Sequence, residues 1–177
     1  MASKADATTG TLKLGDKDAA ISDFDEAIRL NPKSFMAYSD RSVVWQQKGD
    51  YTKAVSDATE AIHLNSKDAE ADFNRGSSRG RLADYSGSVA DLTKAIELNP
   101  NNPEYSCNRG SSLERKGEYQ KATVDFTEAI RLRTNYAKAY FHKSVARERT
   151  GDYVGAVSDA NEVVRIDSQV YCKQAGQ

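Results

Sequence analysis

The chain has 177 residues, with 25 Lys and Arg against 26 Asp and Glu, a formal net charge of -1 and 38% hydrophobic residues. That balance argues against a surface held to nucleic acid or anionic membrane by bulk charge. Two cysteines, Cys107 and Cys172, stand in unrelated contexts with no CxxC or Cys/His cluster, which argues against a disulfide framework or a zinc site. No long apolar run occurs, and the opening MASKADATTG has no apolar leader segment. The expectation is a soluble, cytoplasmic protein without cofactor or metal.

The order in the chain comes from repetition. GDKDAAISDFDEAIRLNP at Gly15 returns as GDYTKAVSDATEAIHLNS at Gly49, ADYSGSVADLTKAIELNP at Ala83, GEYQKATVDFTEAIRLRT at Gly117 and GDYVGAVSDANEVVRIDS at Gly151, a step of 34 residues. A fixed period of this length means stacked small units rather than one closed core. The units run 1–34, 35–68, 69–102, 103–136 and 137–170, as one domain, with 171–177 left as a C-terminal tail.

The first helix is the weakest. Met1 to Leu14 contains Thr8, Thr9, Gly10 and Thr11, which lower helix propensity, so a frayed polar cap is expected there. Each later unit reads as a helix A, a turn and a helix B. In the third, Ala69 to Leu82 is helix A, capped by Asp68. Tyr85 to Leu98 is helix B, with Tyr85, Val89, Leu92, Ala95 and Ile96 on one face, ended by Asn99-Pro100. Asn102-Pro103 is a cap followed by proline at the first helical position.

The turns repeat too. Gly15, Gly49, Gly117 and Gly151 fall where a helix C-terminus takes a left-handed residue. Ala83 replaces glycine in the third unit, at a cost on the order of 1 kcal/mol if its backbone is left-handed. Asp16, Asp50, Asp84, Glu118 and Asp152 then place a carboxylate at the start of helix B, where the helix dipole favours it.

Small residues recur at Ser42, Gly76, Gly110 and Ser144 on helix A. On helix B they recur at Ala20, Ala54, Ser88, Ala122 and Ala156, and again at Ala27, Ala61, Ala95, Ala129 and Val163. These allow close helix approach, and Phe24, Leu92, Phe126, Leu30, Leu64, Leu98 and Leu132 are expected to fill the seams between units. The C-terminus offers almost no polar capping element. The expectation is a segment of a longer array or an end that stacks on another molecule, such as a second copy.

This pattern resembles the tetratricopeptide repeat, a helix–turn–helix unit of 34 residues, over nearly the whole chain. The resemblance implies an all-α, right-handed superhelical α-solenoid. The chain departs from the family in a coupled way. Where the family commonly has Leu in helix A stand Arg41, Arg75, Arg109 and Lys143; where it has an aromatic early in helix B stand Asp23, Asp57, Asp91, Asp125 and Asp159. A cation–carboxylate pair in every unit, within a repeat or across to its neighbour, accounts for both changes.

The resemblance also implies that helices A line a concave groove. Carried onto this sequence, Asn74 and Asn108 form an amide ladder able to hold the backbone of an extended peptide. Arg81, Arg115 and Arg149 form a second ladder able to meet carboxylates or phosphates, with Glu114 and Glu148 placed to neutralise two of them. Phe73 and Phe141 supply apolar contacts, and Ser77, Lys138 and His142 complete the candidate groove. Some family members read the acidic tails of the Hsp70 and Hsp90 chaperones through a clamp of Lys, Asn, Asn, Lys and Arg. Here Asn108 and Lys138 match, while Phe73, Ser77 and His142 replace Lys, Asn and Arg.

Nothing in the residue pattern builds a catalytic centre. His63 and His142 lie in different repeats, and no Ser/His/Asp or Cys/His spacing appears. Gly76-Ser-Ser-Arg-Gly80 lacks the Gly-Lys-Ser/Thr of a phosphate loop, and Asp16-Lys-Asp18 lacks the glycine and distal Glu of a calcium loop. The sequence therefore predicts a non-catalytic scaffold that binds a protein or peptide in its groove. Self-assembly through the solenoid ends is the alternative. A chaperone adaptor of the clamp type and RNA binding along the arginines are lesser ones.

Overall fold

The structure is a computed structural model that describes the backbone of residues 14–175 and the side-chain surroundings of residues 17–168. Among the described residues every regular element is helical: α1 (Leu14–Leu30), α2 (Phe35–Lys48), α3 (Tyr51–Leu64), α4 (Ala69–Arg81), α5 (Tyr85–Leu98), α6 (Pro103–Arg115), α7 (Tyr119–Leu132), α8 (Ala137–Arg149) and α9 (Tyr153–Ala175). Met1 to Lys13, and so nearly all of the expected first helix, lie outside the described residues.

Helices adjacent in sequence pack as antiparallel neighbours, most closely within the pairs α2/α3, α4/α5, α6/α7 and α8/α9. The A helices α2, α4, α6 and α8 also approach one another along the stack, whereas among the described residues the B helices lie further apart. The array therefore closes toward its A side and opens toward its B side. This places α2, α4, α6 and α8 on the concave face of an all-α helical-repeat solenoid.

The turns carry the chemistry that sets this geometry. Gly49, Gly117 and Gly151 adopt φ of 82°, 79° and 84°, and Ala83 adopts 65° in the equivalent place. In each turn the next residue donates its N–H back into helix A, as in Asp50 to Trp45 at 3.0 Å and Asp84 to Arg79 at 2.9 Å, satisfying carbonyls that the helix end would leave bare. Asp50, Asp84 and Asp152 then cap helix B by accepting from the backbone of Lys53, Gly87 and Gly155. Glu118 makes no such cap. It bonds Lys116 and Lys121 at 2.9 and 2.7 Å instead, which lowers its carboxyl to about 2. Gly15 and Asp16 differ from expectation: both lie inside α1, because the helix starts at Leu14.

Between units the small residues do what close packing requires. A Cβ on Gly76 would sit 2.9 Å from Leu92 Cγ, and one on Gly110 would sit 2.8 Å from Phe126 Cε1. Leu92 and Phe126 are wholly buried in consequence, as are Ala54, Ala61, Ala95, Ala122 and Ala129. Burying each of the two large side chains is worth about 1.5–3 kcal/mol. Leu64, Leu98 and Leu132 are half-buried at the seams. Leu30 is not a seam residue; it is 69% exposed at the end of α1.

The cation–carboxylate pair is present in four units, inside each repeat. Arg41 meets Asp57 with two bonds of 2.7 Å, Arg75 meets Asp91 at 3.0 and 2.7 Å, and Arg109 meets Asp125 at 2.8 and 2.7 Å. Lys143 lies 3.3 Å from Asp159. The carboxylates are almost fully buried, so the bidentate arginines compensate charges that would be costly alone. The same side chains also reach the preceding B helix: Arg41 pairs with Asp25, and Arg109 donates to Thr93 at 3.2 Å. Arg41 thus pairs with carboxylates both within and across repeats.

At the C-terminal end α9 continues past Val170 to Ala175. Its Tyr153, Val157 and Val164 are 67%, 61% and 65% exposed. The residues one repeat earlier, Tyr119, Thr123 and Ile130, are half-buried under α8.

Candidate functional site

A groove of about 710 Å³ runs along the concave face. Its walls come from four successive A helices: Gln46 and Gln47 of α2, Ser77, Ser78, Gly80 and Arg81 of α4, Asn108, Ser111, Ser112, Glu114 and Arg115 of α6, and Lys138 and His142 of α8. Tyr51, Tyr85 and Ser88 from the first turns of α3 and α5 complete the lining. The floor is made of small polar residues, tied across units by a 2.8 Å hydrogen bond between the Ser88 and Ser112 hydroxyls.

One step of the array explains which parts of this face are covered. A residue late in each A helix meets a residue of the next A helix 28 positions on. Gln46 Nε2 donates to the Asn74 carbonyl at 2.9 Å, and Glu114 contacts His142 Nδ1 at 2.9 Å. At the intervening step the late residue is Gly80, which has no side chain to lay over Asn108. Asn108 and His142 both line the groove, and both are half-buried.

The candidate residues separate accordingly. Asn108, His142, Lys138, Arg81, Arg115 and Ser77 all line the groove. Asn108 Nδ2 donates to Ser77 Oγ at 3.2 Å, and its Oδ1 accepts from Lys138 Nζ at 3.1 Å. Asn74 does not form an equivalent rung. It is 4% exposed, and Gln46 bonds its backbone carbonyl rather than its side chain. Phe73 packs against Tyr105 with the rings tilted and their centroids 4.9 Å apart, Phe141 is exposed and edge-on to His142, and Arg149 is exposed; none of the three lines the groove.

The electrostatics also differ from expectation. Glu114 does not neutralise Arg115, since it is engaged by His142. Arg81 lies over the ring of Tyr51, 5.5 Å from its centroid, an arrangement that orients a guanidinium without cancelling its charge. Among the described residues neither Arg81 nor Arg115 has a carboxylate partner. The lining thus holds Arg81, Arg115 and Lys138 against Glu114 alone, a local excess of positive charge in a chain that is slightly negative.

Two features escaped the sequence reading. Tyr51 and Tyr85 open their B helices at equivalent positions, and that recurrence was the available signal for a groove wall. Arg79 and Arg147 add a second cation to the buried carboxylates Asp91 and Asp159, at 2.8 and 2.9 Å; their signal was a position four residues after Arg75 and Lys143, on the same helix face. Away from the groove, Asp72 is buried with its Oδ2 unpartnered, and burial lifts its carboxyl to about 6. Among the described residues no group of three or more His, Cys, Asp or Glu is arranged to hold a metal ion, and no helix is long and apolar enough to cross a membrane.

Comparison with known proteins agrees with this architecture. Three family models, each described as tetratricopeptide repeat, match residues 11–70, 69–102 and 92–123. No curated protein matches the sequence significantly. Among solved structures, a crystal structure of MamA is 20% identical and covers 89% of this chain and 92% of its own, with a TM-score of 0.83. MamA from Desulfovibrio magneticus RS-1 is 16% identical, covering 88% of each chain, with a TM-score of 0.81. YrrB, described as a TPR protein with an unusual peptide-binding site, is 19% identical, covering 91% of this chain and 85% of its own, with a TM-score of 0.75. At these identities the likeness is one of fold.

Proposed function

We propose that this chain, which belongs to the tetratricopeptide repeat family, holds an extended segment of a partner protein in the groove between α2 and α8. Membership of the family makes it a protein–protein interaction scaffold in general; the groove as the binding place is our reading. One observation carries it. The concave face contains a continuous polar groove crossing four repeats, with donors and acceptors along its floor and two guanidinium groups without carboxylate partners. An extended peptide needs such a series of groups to replace the water lost from its backbone.

The test is selection of peptides from a random display library, followed by affinity measurement on variants. Ser111→Trp fills the groove. Val124→Asp alters an exposed residue outside the groove lining and serves as control. Selected peptides should lose at least tenfold in affinity on Ser111→Trp and keep it on Val124→Asp. Equal affinities on all three proteins would sink the groove as the binding place.

A second reading is favoured by α9, whose Tyr153, Val157 and Val164 lie bare where an internal B helix is covered by the next A helix. A second copy of the chain packing there gives a dimer. Light scattering at high concentration checks it: a dimer that Val157→Asp/Val164→Asp dissociates supports the reading, and a strict monomer removes it.

A further inference from the structure

We propose that a notch on the outer side of the array, over Leu113, receives a tryptophan side chain from a partner protein. This goes beyond the concave groove and does not depend on it.

The notch lies between the B helices α5 and α7 and has a volume of about 510 Å³. Buried Leu113, half-buried Val89 and exposed Val124 give it an apolar lining, and Lys116, Glu118 and Lys121 border it. Ser56, Ala90 and Ser158 hold the place of Val124 in the second, third and fifth units. The fourth unit alone exposes a branched apolar side chain there.

The unit two repeats earlier shows what suits these groups. Trp45, Lys48, Asp50 and Lys53 stand where the fourth unit has Leu113, Lys116, Glu118 and Lys121. Lys53 Nζ lies 4.1 Å from the centroid of the Trp45 ring and Lys48 Nζ 5.4 Å, while Asp50 bonds Lys53 at 3.2 Å. The fourth unit keeps the three charges, with Glu118 bonded to Lys116 at 2.9 Å and to Lys121 at 2.7 Å. It lacks the indole, in whose place stands the smaller Leu113. Ile21, the counterpart of Val89, is buried, whereas Val89 is half-buried.

The remaining two units fill the same place with Arg79 and Arg147, which reach Asp91 and Asp159. There Gly87 and Gly155 replace the second lysine, and a Cβ on them would fall 3.0 Å from Arg79 Cδ and 2.9 Å from Arg147 Nη1. The seam is thus built either from arginine with glycine or from an apolar residue with two lysines. The fourth unit follows the second plan without a ring for its lysines to face.

These groups select a ring over other occupants. An ammonium is attracted to an aromatic face even while a carboxylate holds it, as Lys53 shows. An anion finds both lysines already bonded by Glu118, and a guanidinium meets their repulsion. The chain's one tryptophan is Trp45 itself, so a second copy has no free indole to offer and the occupant comes from another protein. Aromatic anchors seated in such pockets carry much of the affinity of protein interfaces.

The test titrates N-acetyltryptophanamide into the isotope-labelled full chain, read by two-dimensional NMR, with N-acetylleucinamide and N-acetylargininamide as comparisons. Shifts should centre on Val89, Leu113, Lys116, Lys121 and Val124, and the tryptophan amide should bind at least about fivefold more tightly than either comparison. Lys116→Gln/Lys121→Gln and Val124→Asp, all surface changes, should each weaken it at least about threefold. Leu113→Trp supplies the indole from within and should abolish the shifts; circular dichroism confirms folding of each variant. Ser111→Trp, which fills the concave groove, should leave the probe's binding unchanged. Equal binding of the leucine amide overturns the aromatic occupant, and tighter binding of the arginine amide overturns it in favour of a cation. Absence of shifts at the notch, or shifts centred on the concave face, overturns the notch itself. A wild type that self-associates and that Val124→Asp returns to a monomer gives the place to a second copy and overturns the partner. Each of these failures leaves the groove reading intact, since peptides held there are lost on Ser111→Trp and kept on Val124→Asp.

Discussion

Replacing Arg109 by Leu should destabilise the protein more than replacing Arg75, although the two residues occupy the same place in successive repeats. Asp125 and Asp91 are each 4% exposed, so each carboxylate depends on its partners. Asp125 receives both of its charged bonds from Arg109, at 2.8 and 2.7 Å. Asp91 receives two from Arg75 and a third from Arg79 at 2.8 Å. Arg109→Leu therefore strands a buried charge, which costs about 3–5 kcal/mol. Arg75→Leu removes two charge-assisted bonds to Asp91 and a longer 3.8 Å contact to Asp72, but Arg79 still holds Asp91, so the loss should be smaller than for Arg109→Leu. Arg109→Leu/Asp125→Leu removes both charges and should recover to within about 1 kcal/mol of wild type. Urea unfolding followed by circular dichroism measures all three. Equal losses for Arg109→Leu and Arg75→Leu, or a double variant no more stable than Arg109→Leu, would refute the pairing logic.

Other perturbations address single features. Ala83→Gly relieves a left-handed alanine and should raise stability by about 0.5–1 kcal/mol in the same unfolding assay. Ala95→Leu places a larger side chain where none of the alanine surface is exposed and should cost about 1–3 kcal/mol; an unchanged melting temperature would show the seam is looser than described. Asp72 has its carboxyl raised from 3.8 to about 6 by burial. The folded state thus holds the proton more tightly than the unfolded chain, so wild-type stability falls as pH rises from about 4 through 6 and stays lower above. Asp72→Asn should remove that fall, a gain on the order of 2–3 kcal/mol at pH 7; parallel pH profiles for the two proteins would contradict it.

The parts legible in the sequence are those that every unit must solve alike. Gly49, Gly117 and Gly151 mark the turns because only a left-handed residue ends helix A there, and even the exception at Ala83 was visible. The Arg41, Arg75 and Arg109 pairs with Asp57, Asp91 and Asp125 could be read because both members change together at a fixed separation. Gly15 misled because its resemblance to the other turn glycines is local, whereas in the structure it lies inside α1. Leu30 misled in the same way: its repeat position is that of Leu64, but no earlier unit lies beside it among the described residues. The groove was legible only in part. Asn74 and Asn108 share a position, yet Asn74 is buried while Asn108 lines the groove, and that difference is set by the packing around each repeat rather than by the asparagines. Arg79, Arg147, Tyr51 and Tyr85 act through neighbours on other helices, which a reading of one unit at a time does not connect.

The most direct test of the account is a two-dimensional NMR titration of the isotope-labelled chain with a peptide selected from the display library. Amide shifts should concentrate on the concave residues Ser77, Gly80, Arg81, Asn108, Ser111 and Lys138, and be absent from the outer face of α9. Shifts centred instead on Val157 and Val164, or spread evenly over both faces, would contradict a scaffold that works through its groove.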